Sequence, residues 1–269
     1  MESSQITSLQ NPRIKNVVKL GKRPVRDEQG LLLVEGYREL RRALENGWTP
    51  AELYFCRTLF LGENEDALIT RCRAGGAEIF DCAEPVLRKI SYRDRPEGLV
   101  AVGPQIHHTL DEIEFRAAPF LVVAEAIEKP GNLGTILRSA DAAGVDALIV
   151  CDRCTDISNP NVVRASIGTL FSVKVVEAST EDAMAWLRER GIRVAAASPH
   201  AEQLYTGADF TGGVAVVVGS EQYGLSSRWM TEADIQVRIP MEGQADSLNV
   251  ASATTILLYE VVRQRAGAS

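Results

Sequence analysis

Short apolar runs separated by amphipathic stretches organise most of the chain. Before residue 105 the apolar runs are LLLVEG, AELYFC, AEIFDC and GLVAV, and stretches with helical spacing such as YRELRRALENG lie between them. After Pro119 the runs are FLVVAEAI, DALIVCD, RVAAAS and VAVVV, in which Val, Ala and Ile follow one another with little interruption. Such unbroken runs are typical of parallel strands that are buried on both faces. The pattern therefore predicts an α/β protein whose second part contains a mostly parallel sheet.

The periodicity weakens between these two parts, which predicts two domains. Residues 105–116 are polar and include the adjacent His107 and His108, which we interpret as linker residues and not as a metal site. A chain of 269 residues is long enough to form two cores. We predict a first domain over residues 1–104, a linker over residues 105–117 and a second domain over residues 118–269.

Two predicted helix starts matter for the later argument. EKPGNLGTILRSADAAG is predicted to be a glycine-containing loop that runs into a helix, with Arg138 about one turn beyond Gly134. The last helix is predicted from about Val250 to Arg263. Ser247 stands just before it, where a hydroxyl can accept hydrogen bonds from the first backbone N–H groups.

Composition excludes few classes of protein. Hydrophobic residues make up 45% and charged residues 24% of the chain, as in ordinary globular proteins. The amino-terminal MESSQITSLQ is no secretion signal, and no apolar run approaches the length of a membrane span, so we expect a cytoplasmic protein without a membrane partner. The odd number of cysteines, five, indicates reduced thiols. Cys151 and Cys154 form a CxxC that we interpret as incidental, although a redox pair stays open, and no zinc-type spacing of histidines accompanies it.

The net charge of −7 argues against a protein that is basic overall, but the charge is unevenly distributed. The stretch NPRIKNVVKLGKRPVR contains six basic residues and no acidic one. This stretch and the later SYRDRPEG are the candidate RNA-facing parts of the first domain, and a solvated basic face is the alternative. The candidate RNA-binding residues here are Arg13, Lys15, Lys19, Lys22 and Arg23.

Three polar segments of the second part look like pieces of one site. The first runs from Glu128 to Arg138, the second is GSEQYGL after the run VAVVV, and the third is IPMEGQADSLNVASATTILLYE. Ligands of open α/β sheets bind beyond the carboxyl ends of the strands, where such segments lie. The first segment does not contain GxGxxG, which disfavours a nicotinamide cofactor. The third segment alone is equally consistent with an amphipathic helix that closes the domain.

Together the three segments resemble the SpoU (TrmH-like) RNA 2′-O-ribose methyltransferases of the SPOUT superfamily, in order and near spacing. NPNVVRASIG is also similar to the family, and the amino-terminal part resembles the L30e-like substrate-binding domain of many members. The resemblance therefore covers nearly the whole chain. It departs mildly from the family pattern at Lys129–Pro130, Gln222 and Ala251.

The resemblance implies a carboxyl-terminal trefoil knot, an S-adenosylmethionine site in the knot, no metal, and a homodimer with the site near the subunit interface. By position it implies a catalytic group and a cofactor-binding group. The catalytic residues would be Asn132, Arg138, Glu221, Ser247 and Asn249. The cofactor-binding residues would be Ser198, Gly219, Ser220, Gly224, Ile239, Met241, Leu248 and Ala253.

The implied reaction suits these residue types. A ribose 2′-hydroxyl must lose its proton while it attacks a methyl group, so the site must align the two and assist proton removal. The family assigns this task to the arginine that matches Arg138, with help from the substrate phosphate. Because an arginine side chain is a very weak base, we favour orientation and electrostatic stabilisation as its role. Arg164 is a second candidate for holding a phosphate.

The main hypothesis is an S-adenosylmethionine-dependent 2′-O-methyltransferase that acts on ribosomal RNA, with transfer RNA as the less favoured substrate. A second hypothesis is a catalytically idle RNA-binding or ribosome-assembly protein of the same fold, which the intact polar residues of the three segments disfavour. A third is a nucleotide-dependent oxidoreductase on a conventional doubly wound sheet, which the missing GxGxxG disfavours.

Overall fold

A computed structural model describes residues 5–267 of the chain. They form two compact units: residues 5–106 with Asp156–Ser172, and residues 107–155 with 173–267. The second predicted domain, residues 118–269, thus differs from the observed second unit, because Asp156–Ser172 groups with the first. The side chains of Arg26 and Asp156 contribute to this grouping, because they form a buried ion pair at 2.9 Å. The two residues are 130 positions apart in the sequence, so the sequence pattern did not predict this contact.

The first unit contains a four-stranded mixed sheet in the order β1–β4–β2–β3. β4 is antiparallel to both β1 and β2, and β2 is parallel to β3. The predicted strands are all present, and α2 is a helix that the apolar pattern did not predict. The strands are β1 (Leu31–Glu35), β2 (Glu52–Phe55), β3 (Glu78–Asp81) and β4 (Leu99–Pro104). The helices are α1 (Pro12–Lys19), α2 (Arg23–Gln29), α3 (Tyr37–Glu45), α4 (Glu65–Ala74), α5 (Glu84–Ile90) and α7 (Pro160–Ala165).

A group of charged side chains, the Glu39 cluster (Glu35, Glu39, Arg93 and Glu97), lies where β1 meets α3. Arg93 pairs with Glu39 at 2.6 Å and also with Glu97. One carboxylate oxygen of Glu35 accepts the backbone N–H of Tyr92 at 2.7 Å and that of Arg93 at 3.2 Å. Burial raises the pKa of Glu35 and of Glu39. The cluster thereby fixes the start of the predicted RNA-facing segment SYRDRPEG.

The second unit is built on a seven-stranded sheet in the order β7–β6–β5–β10–β8–β11–β9, with every recorded pair parallel. All residues of β5, β6 and β10 are buried, as the unbroken apolar runs predict. The strands are β5 (Phe120–Glu125), β6 (Ala147–Cys151), β7 (Lys174–Ala178), β8 (Arg193–Ala197), β9 (Gln203–Leu204), β10 (Val214–Val218) and β11 (Ile235–Arg238). The helices are α6 (Pro130–Ala143), α8 (Thr180–Glu189), α9 (Ser227–Glu232) and α10 (Val250–Ala266). The short strand β9 and the helix α9 were not predicted.

Two helix starts differ from the predictions. α6 begins at Pro130, so Gly131, Asn132 and Gly134 lie within the helix and not in a loop before it. Proline suits the first helical position because it has no N–H to leave unpaired. α10 is capped by Asn249, whose side-chain oxygen accepts the N–H groups of Ala251 and Ser252 at 3.0 and 3.4 Å. The prediction that Ser247 is the cap is therefore wrong, because the chain enters the helix two residues later.

The remaining residues add few features. The predicted linker contains a short 3₁₀ helix at Leu110–Glu112, where His108 contacts Glu112 at 3.1 Å.

All five cysteines are free, and burial raises the pKa of Cys151 to about 12. Within residues 5–267 no helix is long and apolar enough to cross a membrane. The same residues contain no cluster of metal-ligating side chains.

Candidate active site

The three predicted segments meet at the carboxyl edge of the large sheet. β5 and β10 are neighbours in that sheet, as are β10 and β8, and β8 and β11. The residues that follow β5 lead into α6, those after β10 form the turn Gly219–Leu225, and those after β11 lead into α10. Because parallel strands all end at the same edge, residues more than a hundred positions apart come together there.

The Glu221 cluster, defined as Lys129, Asn132, Glu221 and Asn249, is the centre of this meeting point. One carboxylate oxygen of Glu221 accepts hydrogen bonds from the amide groups of Asn132 and Asn249, the latter at 2.9 Å. The other oxygen pairs with the ammonium group of Lys129. The Asn249 amide also donates to the Asn132 oxygen at 3.2 Å. Each of the three segments thus contributes at least one member of a single hydrogen-bonded network.

The orientation of the Asn249 side-chain amide follows from its contacts with α10 on one side and with Glu221 and Asn132 on the other. Its side-chain oxygen caps α10, so its NH₂ group must face the other way, toward Glu221 and Asn132. An aspartate at this position would cap the helix equally well but would place a second negative charge against Glu221. The amide is therefore the side chain that both the helix and the cluster require.

The electrostatics of the cluster keep Glu221 ionised. The hydrogen bond from Lys129, followed by that from Asn132, lowers the pKa of Glu221. The same contact raises the pKa of Lys129. Both charged groups are within reach of solvent, with 27% of the Glu221 side chain and 68% of the Lys129 side chain exposed. The cluster is an accessible, ionised arrangement at the surface of the second unit.

The turn after β10 is rigid for local reasons. Ser220 and Gly224 exchange two backbone hydrogen bonds at 3.0 and 3.1 Å, and the Ser220 hydroxyl accepts the N–H of Tyr223 at 3.0 Å. Gly224 has a positive φ of 69°. A Cβ on Gly219 would lie 2.3 Å from the carbonyl of Gly224, so a side chain at Gly219 would force the turn open. Both glycines are needed for this turn to close.

A cavity of about 650 Å³ lies beside the Glu221 cluster. It is lined by the residues that follow β8, β10 and β11 and by the first turn of α10. All eight residues that the sequence predicts to bind a cofactor are in its wall, together with Glu221 and Ser247. The predicted residues are Ser198, Gly219, Ser220, Gly224, Ile239, Met241, Leu248 and Ala253.

The cavity combines the size of a ligand site with apolar wall and acidic side chains. Its volume is in the range of small-molecule sites. Val218, Ile239 and Leu248 supply apolar wall. The charged side chains among its described lining residues are Glu221 and Asp246, both carboxylates, with no lysine or arginine. Asp246 was not predicted, and its place directly before SLNV is the signal that would have indicated it.

The predicted catalytic residues are brought together only in part. Asn132, Glu221 and Asn249 are in direct contact, and Ser247 lies in the cavity wall. Arg138 is exposed on α6, and its side chain forms no ion pair or hydrogen bond within residues 5–267. Six residues of helix place it about 9 Å along the axis from Asn132. Lys129, which was noted only as a departure from the family pattern, is instead a member of the cluster.

The predicted RNA-binding residues of the first unit have different surroundings. Lys15, Lys19 and Lys22 are exposed. The guanidinium group of Arg13 pairs with Glu52 and Glu78 at 2.6 and 2.9 Å. Arg23 pairs with Asp27 at 3.4 Å, and Arg164 bonds to the side chain of Asn161. The cationic surface of this stretch therefore rests on Lys15 and Lys19 of α1 and on Lys22 after it more than on Arg13.

Comparison with known proteins identifies the family. The model of the SpoU rRNA methylase family matches residues 119–259, and that of the MRM3-like substrate-binding domain matches residues 11–101. The chain belongs to the SpoU rRNA methylase family. This membership confirms the predicted family, and the parallel sheet confirms the predicted α/β class of the second part.

Similar SpoU relatives cover almost the whole chain. A 23S rRNA (uridine(2479)-2′-O)-methyltransferase of Streptomyces viridochromogenes is 36% identical over 91% of this chain and 87% of its own length. A solved RNA 2′-O ribose methyltransferase is 41% identical with a TM-score of 0.86, covering 97% of this chain and 99% of its own. The AdoMet-bound rRNA methyltransferase of Sinorhizobium meliloti is 32% identical with a TM-score of 0.89, covering 98% of each chain. The fold, including an amino-terminal substrate-binding unit, is thus that of solved SpoU enzymes.

Proposed function

We propose that this protein methylates a ribose 2′-hydroxyl of ribosomal RNA with S-adenosylmethionine as the methyl donor. It is an RNA 2′-O-methyltransferase of the SpoU family, and relatives that match most of its length are named as 23S rRNA 2′-O-methyltransferases. The observation that carries the proposal is the joining of all three segments in the Glu221 cluster beside a ligand-sized cavity.

S-adenosylmethionine fits the cavity by charge and by polarity. The cofactor has a positively charged sulfonium and an ammonium group, for which the carboxylates of Glu221 and Asp246 are suitable neighbours. Its flat adenine ring suits the apolar wall around Ile239 and Leu248. When bound, the cofactor supplies a methyl group on a sulfonium, whose loss leaves a neutral thioether and needs no metal.

The residues of the cluster would position the attacking ribose. Methyl transfer would join the ribose 2′-oxygen to the methyl carbon that the cofactor supplies, and the hydroxyl proton would pass to solvent water with help from the substrate phosphate, so the protein residues need to hold and orient the hydroxyl. Asn132, which Glu221 and Asn249 hold in place, would orient the ribose by hydrogen bonds, and Ser247 would add a hydroxyl from the cavity wall. Arg138 would stabilise the developing charge and the substrate phosphate, because a guanidinium group is far too weak a base to accept the proton efficiently.

We extend the proposal to the assembly and to the roles of the units. The first unit would bind the RNA through Lys15, Lys19 and Lys22, and residues 118–269 would carry the methyl-transfer site and the trefoil knot that the family resemblance implies. The protein would act as a homodimer with its site near the subunit interface, which would bring a second set of side chains to the exposed Arg138. Its five free cysteines suit the reducing cytoplasm. Equilibrium sedimentation at several concentrations would test the dimer.

The test of the function is transfer of labelled methyl from S-adenosylmethionine to unmodified ribosomal and transfer RNA. We expect label in ribosomal RNA, surviving in an alkali-resistant dinucleotide, and a loss of at least a hundredfold in Arg138→Ala. Label in transfer RNA alone would reassign the substrate. Cofactor binding without transfer to either RNA would contradict the proposed activity and support a binding role.

A further inference from the structure

Tyr223 is an aromatic side chain that the structure holds out into solvent. Its exposure is 77%, more than that of any other aromatic residue in residues 5–267. The backbone around Tyr223 is held by hydrogen bonds. Ser220 and Gly224 exchange two backbone hydrogen bonds, and the Ser220 hydroxyl accepts the N–H of Tyr223 itself. A rigid turn therefore presents an uncovered ring.

The Tyr223 ring lies close to the Glu221 cluster. Tyr223 lines the cavity and stands two residues after Glu221 in the same turn. Two residues span at most about 7 Å, which is within the size of one nucleotide. A ribose brought to the Glu221 cluster would thus carry its base into the neighbourhood of the ring.

The charges around the cavity indicate what kind of contact the ring would make. Glu221 and Asp246, the charged residues of the described lining, repel phosphates, and Lys129 offsets only one of them. Stacking of a base on an aromatic ring needs no charge and is not opposed by these carboxylates. Bases of single-stranded RNA commonly stack on tyrosine in this way.

We propose that Tyr223 stacks on a base of the RNA substrate and so holds the nucleotide at the Glu221 cluster. The inference rests on the proposed function and goes beyond it by naming a residue that binds the base. The ring is the active part of the side chain, and the hydroxyl group is dispensable. The contact serves RNA and not the cofactor.

The experiment compares Tyr223→Leu, which keeps an apolar side chain but removes the ring, with Tyr223→Phe and Tyr223→Trp, which keep a ring. For each protein, three quantities are measured: the KM for unmodified 23S rRNA transcript, the equilibrium Kd for that transcript without cofactor, and the Kd for S-adenosylmethionine. We expect Tyr223→Leu to raise the KM and Kd for the transcript at least fivefold, and Phe and Trp to stay within about twofold. The Kd for S-adenosylmethionine should be unchanged in all variants, which also shows that they fold.

Three results would overturn the inference. The first is an unchanged transcript Kd and KM in Tyr223→Leu. The second is an equal loss in the Phe and Leu variants, which would assign the contact to the hydroxyl group. The third is a weaker Kd for S-adenosylmethionine in Tyr223→Leu, which would assign the ring to the cofactor. Absence of methyl transfer by the wild type would instead overturn the proposed function, and the transcript Kd series would still decide the role of Tyr223.

Discussion

The Glu221 cluster and the Glu39 cluster are built from the same groups, glutamates beside a cation, in opposite environments. In the first, Glu221 shares its two oxygens among a lysine and two amides, remains partly exposed and has a lowered pKa. In the second, Glu35 and Glu39 are buried beside Arg93, and their pKa values are raised. One oxygen of each of these two glutamates has no hydrogen-bond partner within residues 5–267.

The difference shows what each cluster is suited to do. Burial of carboxylates makes the single cation Arg93 essential to the fold, because an unpaired buried charge is costly. Access to solvent makes the Glu221 cluster contribute little to stability but leaves the second N–H of the Asn132 amide available to a ligand. We therefore expect substitutions in the Glu39 cluster to change stability and those in the Glu221 cluster to change activity.

The largest expected effect is on stability. Arg93→Met removes the cation beside Glu35 and Glu39, and we expect the free energy of unfolding to fall by about 3 kcal/mol because buried carboxylates are left unpaired. Urea-induced unfolding measures this change. Arg95→Met, in the same segment but exposed, is the matched control, with a change below about 0.5 kcal/mol. Equal stability of the two variants would contradict the contrast between the clusters.

The next effect is on catalysis. Glu221→Gln keeps an acceptor for Asn132 and Asn249 but removes the negative charge that pairs with Lys129. We expect methyl transfer to slow about a hundredfold, while the free energy of unfolding changes by less than about 0.5 kcal/mol. Rates of label transfer and urea unfolding measure the two quantities. Glu202→Gln, an exposed position of the same unit, should retain the wild-type rate. A variant that loses stability in step with activity would give Glu221 a structural role.

The smallest effect is on the pH dependence of stability, where the clusters have opposite signs. Glu35 and Glu39 bind a proton more tightly when folded, so their contribution to stability falls as pH rises from 4.5 toward their raised folded pKa values. Glu221 binds its proton less tightly when folded, so its contribution is lost as pH falls below 4.5 toward its lowered folded pKa. Urea unfolding between pH 3.5 and about 7 tests both signs. Glu39→Gln should reduce the dependence of the unfolding free energy on pH above 4.5, and Glu221→Gln should reduce it below 4.5. A dependence of the opposite sign in either variant would show that the slope has a different cause.

Much of the site could be predicted because parallel strands end at a common edge. Asn132, Glu221 and Asn249 follow three such strands, so a shared site was predictable from the strand ends, while the family resemblance singled out these three residues. The helix cap was less predictable, since serine and asparagine both cap helices and the choice depends on the backbone between Asp246 and Asn249. Lys129 was missed because an exposed lysine has no sequence signal until its partner is known.

The fold of the first unit was harder to predict at one place. Arg26 lies in a basic stretch that indicates a solvated face, yet its side chain is only 1% exposed and contacts Asp156. No periodicity connects positions so far apart in the chain. The lysines of the same stretch are exposed as expected. The charge pattern therefore identified the exposed surface but not the burial of Arg26.

The return of Asp156–Ser172 to the first unit has a consequence for how the polypeptide can be divided. The first unit is discontinuous in sequence, because Asp156–Ser172 belongs to it. This later segment supplies the carboxylate that pairs with Arg26, the Phe171 ring that packs on Trp48 and the Ile167 carbonyl that accepts a hydrogen bond from Arg42. A fragment ending at residue 104 would lack the carboxylate of Asp156 and leave the Arg26 guanidinium without this counter-charge. A cut between residues 104 and 118 would therefore remove contacts that the first unit makes with its own later segment.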